Sequence, residues 1–222
     1  MNRNNSVSFF LFLALVFIVW ALRATVFYGI DESIADANLR LVYATALKFA
    51  LWVLPAVAFA VLVRRQPPLQ YLGLAANPGR REWLVALLAV AGYLAAVTAF
   101  EVLLNGKQWS FASVSLAGLA FLFVSSAIEE ILFRGLVLKE LLNTLSPLAA
   151  NIVTSLLFVA IHWPHWLWSR GLTPAVLADT AGVFLISLLL GWIYLRTKSV
   201  WPCIAAHTLN NVVSGALVAG AR

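Results

Sequence analysis

Two adjacent carboxylates, Glu129 and Glu130, stand in an otherwise apolar run, Ala127-Ile128-Glu129-Glu130-Ile131-Leu132-Phe133-Arg134-Gly135. Ionisable groups are costly inside a membrane and mark function until another reason is found. Glu130 and Arg134 are four residues apart, so they share one helix face and can form an ion pair. Glu129 points about 100° away around the helix and has no partner in its own segment. An unpaired carboxylate in a low-dielectric site suits proton transfer, the work of a general base. The spacing therefore assigns Glu129 to proton transfer and Glu130 with Arg134 to a buried structural pair. A plainer alternative has both glutamates lining the cytosolic end of a helix.

Two further clusters could complete a hydrolytic site. Phe158-Val159-Ala160-Ile161-His162 ends an apolar run on a histidine that lies on the same helical face as Phe158. His165, among Trp163, Trp166 and Trp168, is read instead as an interfacial residue of a headgroup belt. In Trp201-Pro202-Cys203-Ile204-Ala205-Ala206-His207-Thr208-Leu209-Asn210-Asn211, His207 and Asn211 project one turn apart. An imidazole and a carboxamide side by side can donate to the oxyanion of amide cleavage. The same pair could also simply join helices by hydrogen bonds, as polar groups in membrane bundles do.

Taken in order, Glu129-Glu130 with Arg134, Phe158 with His162, and His207 with Asn211 resemble the EExxxR, FxxxH and HxxxN motifs of one family. It is the CAAX-protease and bacteriocin-processing (CPBP, Abi) family of glutamate-type intramembrane endopeptidases, which includes the Ras-converting CAAX endopeptidase. EEILFRG, SLLFVAIH and LGWIYLRTKSVWPCIAAHTLNN extend the likeness over about residues 112–215. Before that, only the LGL of Leu72 to Leu74 is similar to family text. The resemblance implies an endopeptidase in which Glu129 and His162 activate a water while His207 and Asn211 hold the oxyanion. It implies no cofactor and no metal.

The same residue types also allow other chemistries. Two glutamates and two histidines could bind zinc, but the HExxH spacing that sets two ligands on one helix face is absent. Cys203 and His207, also one turn apart, could form a thiol nucleophile and base, leaving EExxxR without a task. Arg23, Lys48, Glu101 and Asp179 keep open a transporter or scaffold, since intramembrane charges line ion paths. A non-catalytic immunity-type protein is a further alternative that the family allows.

The elements that must hold these residues are membrane helices. Only 11% of the 222 residues are charged and 63% are hydrophobic, against about 25% charged in a soluble domain. No soluble surface can be made from so few charges. Apolar stretches near 7–27, 41–63, 83–104, 112–133, 147–163, 175–195 and 200–219 approach the length of about 20 residues that a span takes. Short alternating strands of a membrane barrel are absent. The expected fold is an all-α polytopic bundle of about seven to eight spans, forming a single membrane domain over 1–222. The first run, after Arg3, is too long for a signal peptide and lacks a small-residue cleavage site, so it is read as a retained helix.

Depth refines the fourth span. A helix ending at Arg134 would place Glu129 about 8 Å from its cytosolic end, whereas His162 lies about 22 Å from a helix start near Pro147. Continuing through Leu136, Leu138 and Leu141 to about Asn143 puts Glu129 about 21 Å deep, so one helix over about 112–143 is expected, with Arg134 buried. His207 and Asn211 then lie about 12 to 18 Å in from Ser199.

Basic residues set the expected orientation. Arg3, Arg64, Arg65, Arg80, Arg81, Arg134, Lys139, Arg196 and Lys198 fall on one half, and Arg40, Lys107, Arg170 and Arg222 on the other. The positive-inside rule puts the N-terminus in the cytoplasm, in a bacterial inner membrane, and accounts for the net charge of +6 without a nucleic-acid partner. The expected partners are the bilayer and a membrane-associated protein or peptide substrate. A lone cysteine, Cys203, excludes an intrachain disulfide.

Overall fold

The computed structural model describes residues 3–112 and 115–219, with side chains from Ser6 onward. The start expected for the fourth span adjoins residues 113 and 114. Those two, Arg222 and the side chain of Arg3 lie outside the described part.

Six helical segments are long and apolar enough to cross a bilayer: Ser6–Thr25, Ala37–Val63, Arg80–Leu103, Leu116–Leu141, Pro147–Arg170 and Pro174–Thr197. The chain is an integral membrane protein built as an all-α bundle. In chain order, α1 is Arg3–Thr25, α2 the short Tyr28–Ser33, α3 Ala37–Ala58, α4 Pro68–Tyr71 and α5 Arg80–Leu103. Then come β1 Lys107–Trp109, α6 Leu116–Glu130, α7 Lys139–Leu141, α8 Pro147–Ala160, α9 Trp163–Arg170, α10 Pro174–Thr197, α11 Trp201–Ala216 and β2 Leu217–Ala219. Large apolar side chains such as Leu11, Leu15, Leu62, Leu88 and Leu103 point outward, where lipid covers them.

Local chemistry sets the helix ends. Side chains of Asp36, Ser115, Ser146 and Thr173 accept the N–H three residues on, capping α3, α6, α8 and α10. Pro147 and Pro174 occupy the first turn, where the missing N–H costs nothing. Lys198 adopts a left-handed backbone, φ +54°, that stops α10 and starts the reversal into α11.

The seventh expected span is shorter than the sequence suggests. α11 is 16 residues, about 24 Å of helix, against a hydrocarbon thickness of about 30 Å. At Leu217 the chain turns extended and pairs antiparallel with β1, Lys107 opposite Ala219. This two-stranded ribbon was not expected. It ties the ends of α5 and α11 to the same side of the bundle.

The fourth span is one continuous helix from Leu116 to Leu141, with Ile131–Leu138 wound as a π-helix between α6 and α7. Every residue of that π segment is buried. α6 packs between α3 and α11, and α10 packs against α8 and α11. Trp52, Phe133 and Phe158 meet edge to face at the centre, with ring centroids 5.9 and 4.9 Å apart. The Arg64 to Arg81 loop docks beneath this core. Gly135 lets the Leu72 carbonyl approach so closely that a Cβ would lie 2.7 Å from it. Gly73, at φ +73°, then receives the Val200 N–H at 3.3 Å.

Candidate active site

The α8 helix ends at Ala160, and a turn at Ile161 and His162 redirects the chain into α9. His162 thus sits at a bend within the membrane rather than on a smooth helical face. Its Nδ1 lies 2.7 Å from the Phe158 carbonyl oxygen. A carbonyl only accepts, so Nδ1 carries the proton and Nε2 is left with its lone pair.

Glu129 and His162 line the same cavity of ≈ 300 Å³ together with Lys48, Trp52, Ser125 and Ile161. Two helices far apart in sequence thereby contribute a carboxylate and an imidazole to one polar floor. The expectation that Glu129 is unpaired does not hold, because Lys48 reaches over from α3. Lys48 Nζ is bonded to Glu129 Oε1 and, at 3.0 Å, to Ser125 Oγ, and it lies 4.9 Å from the centre of the Trp52 ring. A buried carboxylate without a countercharge would cost several kcal/mol, on the order of the penalty for an isolated buried ion. A cation from a neighbouring helix removes that cost, and sequence spacing could not show it.

Glu130 faces away from this cavity. Arg134 Nη1 donates to Glu130 Oε1 at 3.0 Å, both side chains being fully buried. Arg134 Nη2 donates to the carbonyl and hydroxyl oxygens of Ser187 at 2.8 and 2.7 Å, and the guanidinium stands 4.9 Å over Phe158. These contacts replace part of the water that a guanidinium would otherwise require, while Arg134 Nε and Glu130 Oε2 are buried without a partner. Glu130 Oε1 also lies 2.8 Å from His207 Nδ1. The other imidazole nitrogen, Nε2, is 3.8 Å from Glu129 Oε2, beyond hydrogen-bond length. His207 therefore stands between the two glutamates, oriented by one and facing the other.

Asn211 is held elsewhere. Its Nδ2 donates to Ser126 Oγ at 3.3 Å, and neither His207 nor Asn211 is among the residues lining the cavity. Cys203 is fully buried against α10, its thiol donating to the Leu190 carbonyl at 3.3 Å. Glu101 pairs with Lys107 at 3.0 Å and Asp179 with Arg170 at 2.7 Å, both toward helix ends and outside the cavity lining.

Three lining residues had a different expectation or none. His165, read as interfacial, lines the cavity and packs against Tyr28 with ring centroids 4.8 Å apart. Arg23 pairs with Asp31 where α1 passes into α2. The only sequence signal for Lys48 and Arg23 was a charge within an apolar run, which shows that a partner must exist without saying which.

No curated protein matches this chain. Residues 110–213 match the family model described as type II CAAX prenyl endopeptidase Rce1-like, a stretch that contains Glu129, His162, His207 and Asn211. The segment from 110 to 213, holding α6 through most of α11, is thus similar to the Rce1-like CAAX prenyl endopeptidase family.

Proposed function

We propose that this protein is an intramembrane endopeptidase that hydrolyses a peptide bond of a membrane-associated protein or peptide with a glutamate-activated water. The observation that carries this reading is the shared cavity of Glu129 and His162, with His207 Nε2 3.8 Å from Glu129. Water held between the Glu129 carboxylate and His162 Nε2 attacks the scissile carbonyl carbon while Glu129 takes its proton. The oxyanion would take a hydrogen bond from His207, and Asn211 would add a second only by turning its amide away from Ser126. With Nδ1–H given to Glu130, His207 can donate from Nε2 only as the doubly protonated ring. Collapse of the tetrahedral species breaks the C–N bond, and Glu129 returns the proton to the leaving amine. Lys48, bonded to one carboxylate oxygen, positions Glu129, and the Glu130–Arg134 pair positions His207. The chain would lie with its N-terminus in the cytoplasm, in a bacterial inner membrane.

The test compares membrane proteins by mass spectrometry in cells that lack this chain, carry it, or carry Glu129→Gln or Cys203→Ala. Gln matches the shape of Glu but cannot act as the base, so processing should fall by about 10²–10⁴. Cys203→Ala should leave processing in place, because the thiol is buried against α10 and outside the cavity. Loss at Cys203 with tolerance at Glu129 would overturn the proposal in favour of a thiol enzyme. One observation favours a second reading, a non-catalytic immunity-type or scaffold protein: Lys48 already occupies Glu129. That reading takes over if both variants stay in the membrane and neither changes the cellular phenotype.

A further inference from the structure

The residues that line the cavity all lie toward one end of the bundle. They come from the last turns of α1, from α2, from the first halves of α3 and α6, and from the α8–α9 bend. Because successive long helices alternate in direction, all of these lie at the end that carries α2, α9 and the β1–β2 ribbon. Toward the opposite end, Leu132, Phe133, Leu136, Val137 and Leu138 are at 0% exposure and close the path.

Charge identifies the two ends. The closed end bears the pairs Arg64–Arg65 and Arg80–Arg81 with Lys139, Arg196 and Lys198, against the acids Glu82 and Glu140. The open end has Arg23, Arg40, Lys107 and Arg170, against Asp31, Glu32, Asp36, Glu101 and Asp179. At the open end, acids pair with Arg23, Lys107 and Arg170. An excess of Lys and Arg in short loops marks the cytoplasmic face.

We infer that the cavity opens on the non-cytoplasmic face, so that the substrate is a membrane protein whose cleaved segment is presented on that side. The inference rests on the endopeptidase reading for the word substrate, although the direction of opening does not depend on it. Arg23 and Asp31 line the cavity near its mouth. They bond to one another there, yet Arg23 Nε and Asp31 Oδ1 are buried without a partner.

The single native cysteine makes the test direct. In a Cys203→Ala background, Ser169→Cys near the end of α9, Thr45→Cys inside the cavity and Gln70→Cys in the loop at the closed end are each exposed to a membrane-impermeant maleimide. Right-side-out and inverted vesicles are compared. Ser169→Cys and Thr45→Cys should label in right-side-out vesicles, and Gln70→Cys only in inverted ones. The opposite pattern, or labelling of one site from both sides, would overturn the inference. So would protection of Thr45→Cys where Ser169→Cys reacts, since the mouth would then be shut. Labelling is read without any proteolysis, so a protein that proves inactive still answers the question.

Discussion

The Glu130–Arg134 pair makes a quantitative prediction about stability. Glu130→Gln keeps an oxygen for Arg134 Nη1 and His207 Nδ1 but removes the charge, leaving a guanidinium at 0% exposure with only neutral partners at Ser187. Breaking a buried pair on one side costs about 3–5 kcal/mol. At about 2–4 °C per kcal/mol for a chain of this size, the apparent midpoint of thermal unfolding in detergent should fall by about 6–20 °C. The double variant Glu130→Gln with Arg134→Met removes both charges and should recover part of the loss, so the two changes will not add. Unfolding followed by size-exclusion chromatography of heated samples gives all three midpoints. A Glu130→Gln protein with an unchanged midpoint and no processing would refute the reasoning, because Glu130 would then act chemically and the roles of the two glutamates would be exchanged.

Lys48→Met removes the group that holds Glu129 Oε1, so processing should drop, by up to about 10²-fold if the carboxylate shifts by 1 Å. Combined with Glu129→Gln it should add nothing, which a mass-spectrometric comparison of the double and single variants will show. Gly191→Ala would place a Cβ 1.8 Å from Asn151 Oδ1, between α10 and α8. We expect a loss of about 1–3 kcal/mol from overpacking, seen as a lower unfolding midpoint that Asn151→Ala partly restores. An unchanged midpoint in Gly191→Ala would show that α8 and α10 can separate freely at that level.

Local rules carried the sequence reading a long way. Apolar runs gave the long helices, and the helical period put Glu130 and Arg134 on one face. The depth comparison required the fourth span to continue past Arg134, as it does to Leu141. What stayed hidden is non-local. Lys48 and Glu129 are 81 residues apart, and His207 and Glu130 are 77 apart. Glu140, bonded by Arg64 and Tyr71 at the C-terminal end of the fourth span, gave no signal at all. Burial forces each of these ions to find a partner, but many helix arrangements could supply one, and only packing chooses among them. The π-helical turn at Ile131–Leu138 also leaves no mark in the apolar pattern.

The buried stretch below the cavity has an electrical consequence. Glu129 stands 12 residues from Leu141, about 18 Å of helix, and Leu132, Phe133, Leu136, Val137 and Leu138 along that distance are fully buried. Water filling the cavity would carry the potential of the open side down to the carboxylate. Most of the transmembrane voltage would then fall across about 18 Å instead of about 30 Å, steepening the local field by about 1.7-fold. Moving one charge through that layer under 100 mV is worth about 2.3 kcal/mol. The packing of Leu132, Phe133, Leu136 and Leu138 is thus also insulation, which lets a cell keep a hydrated carboxylate deep in an energised membrane without leaking protons through it.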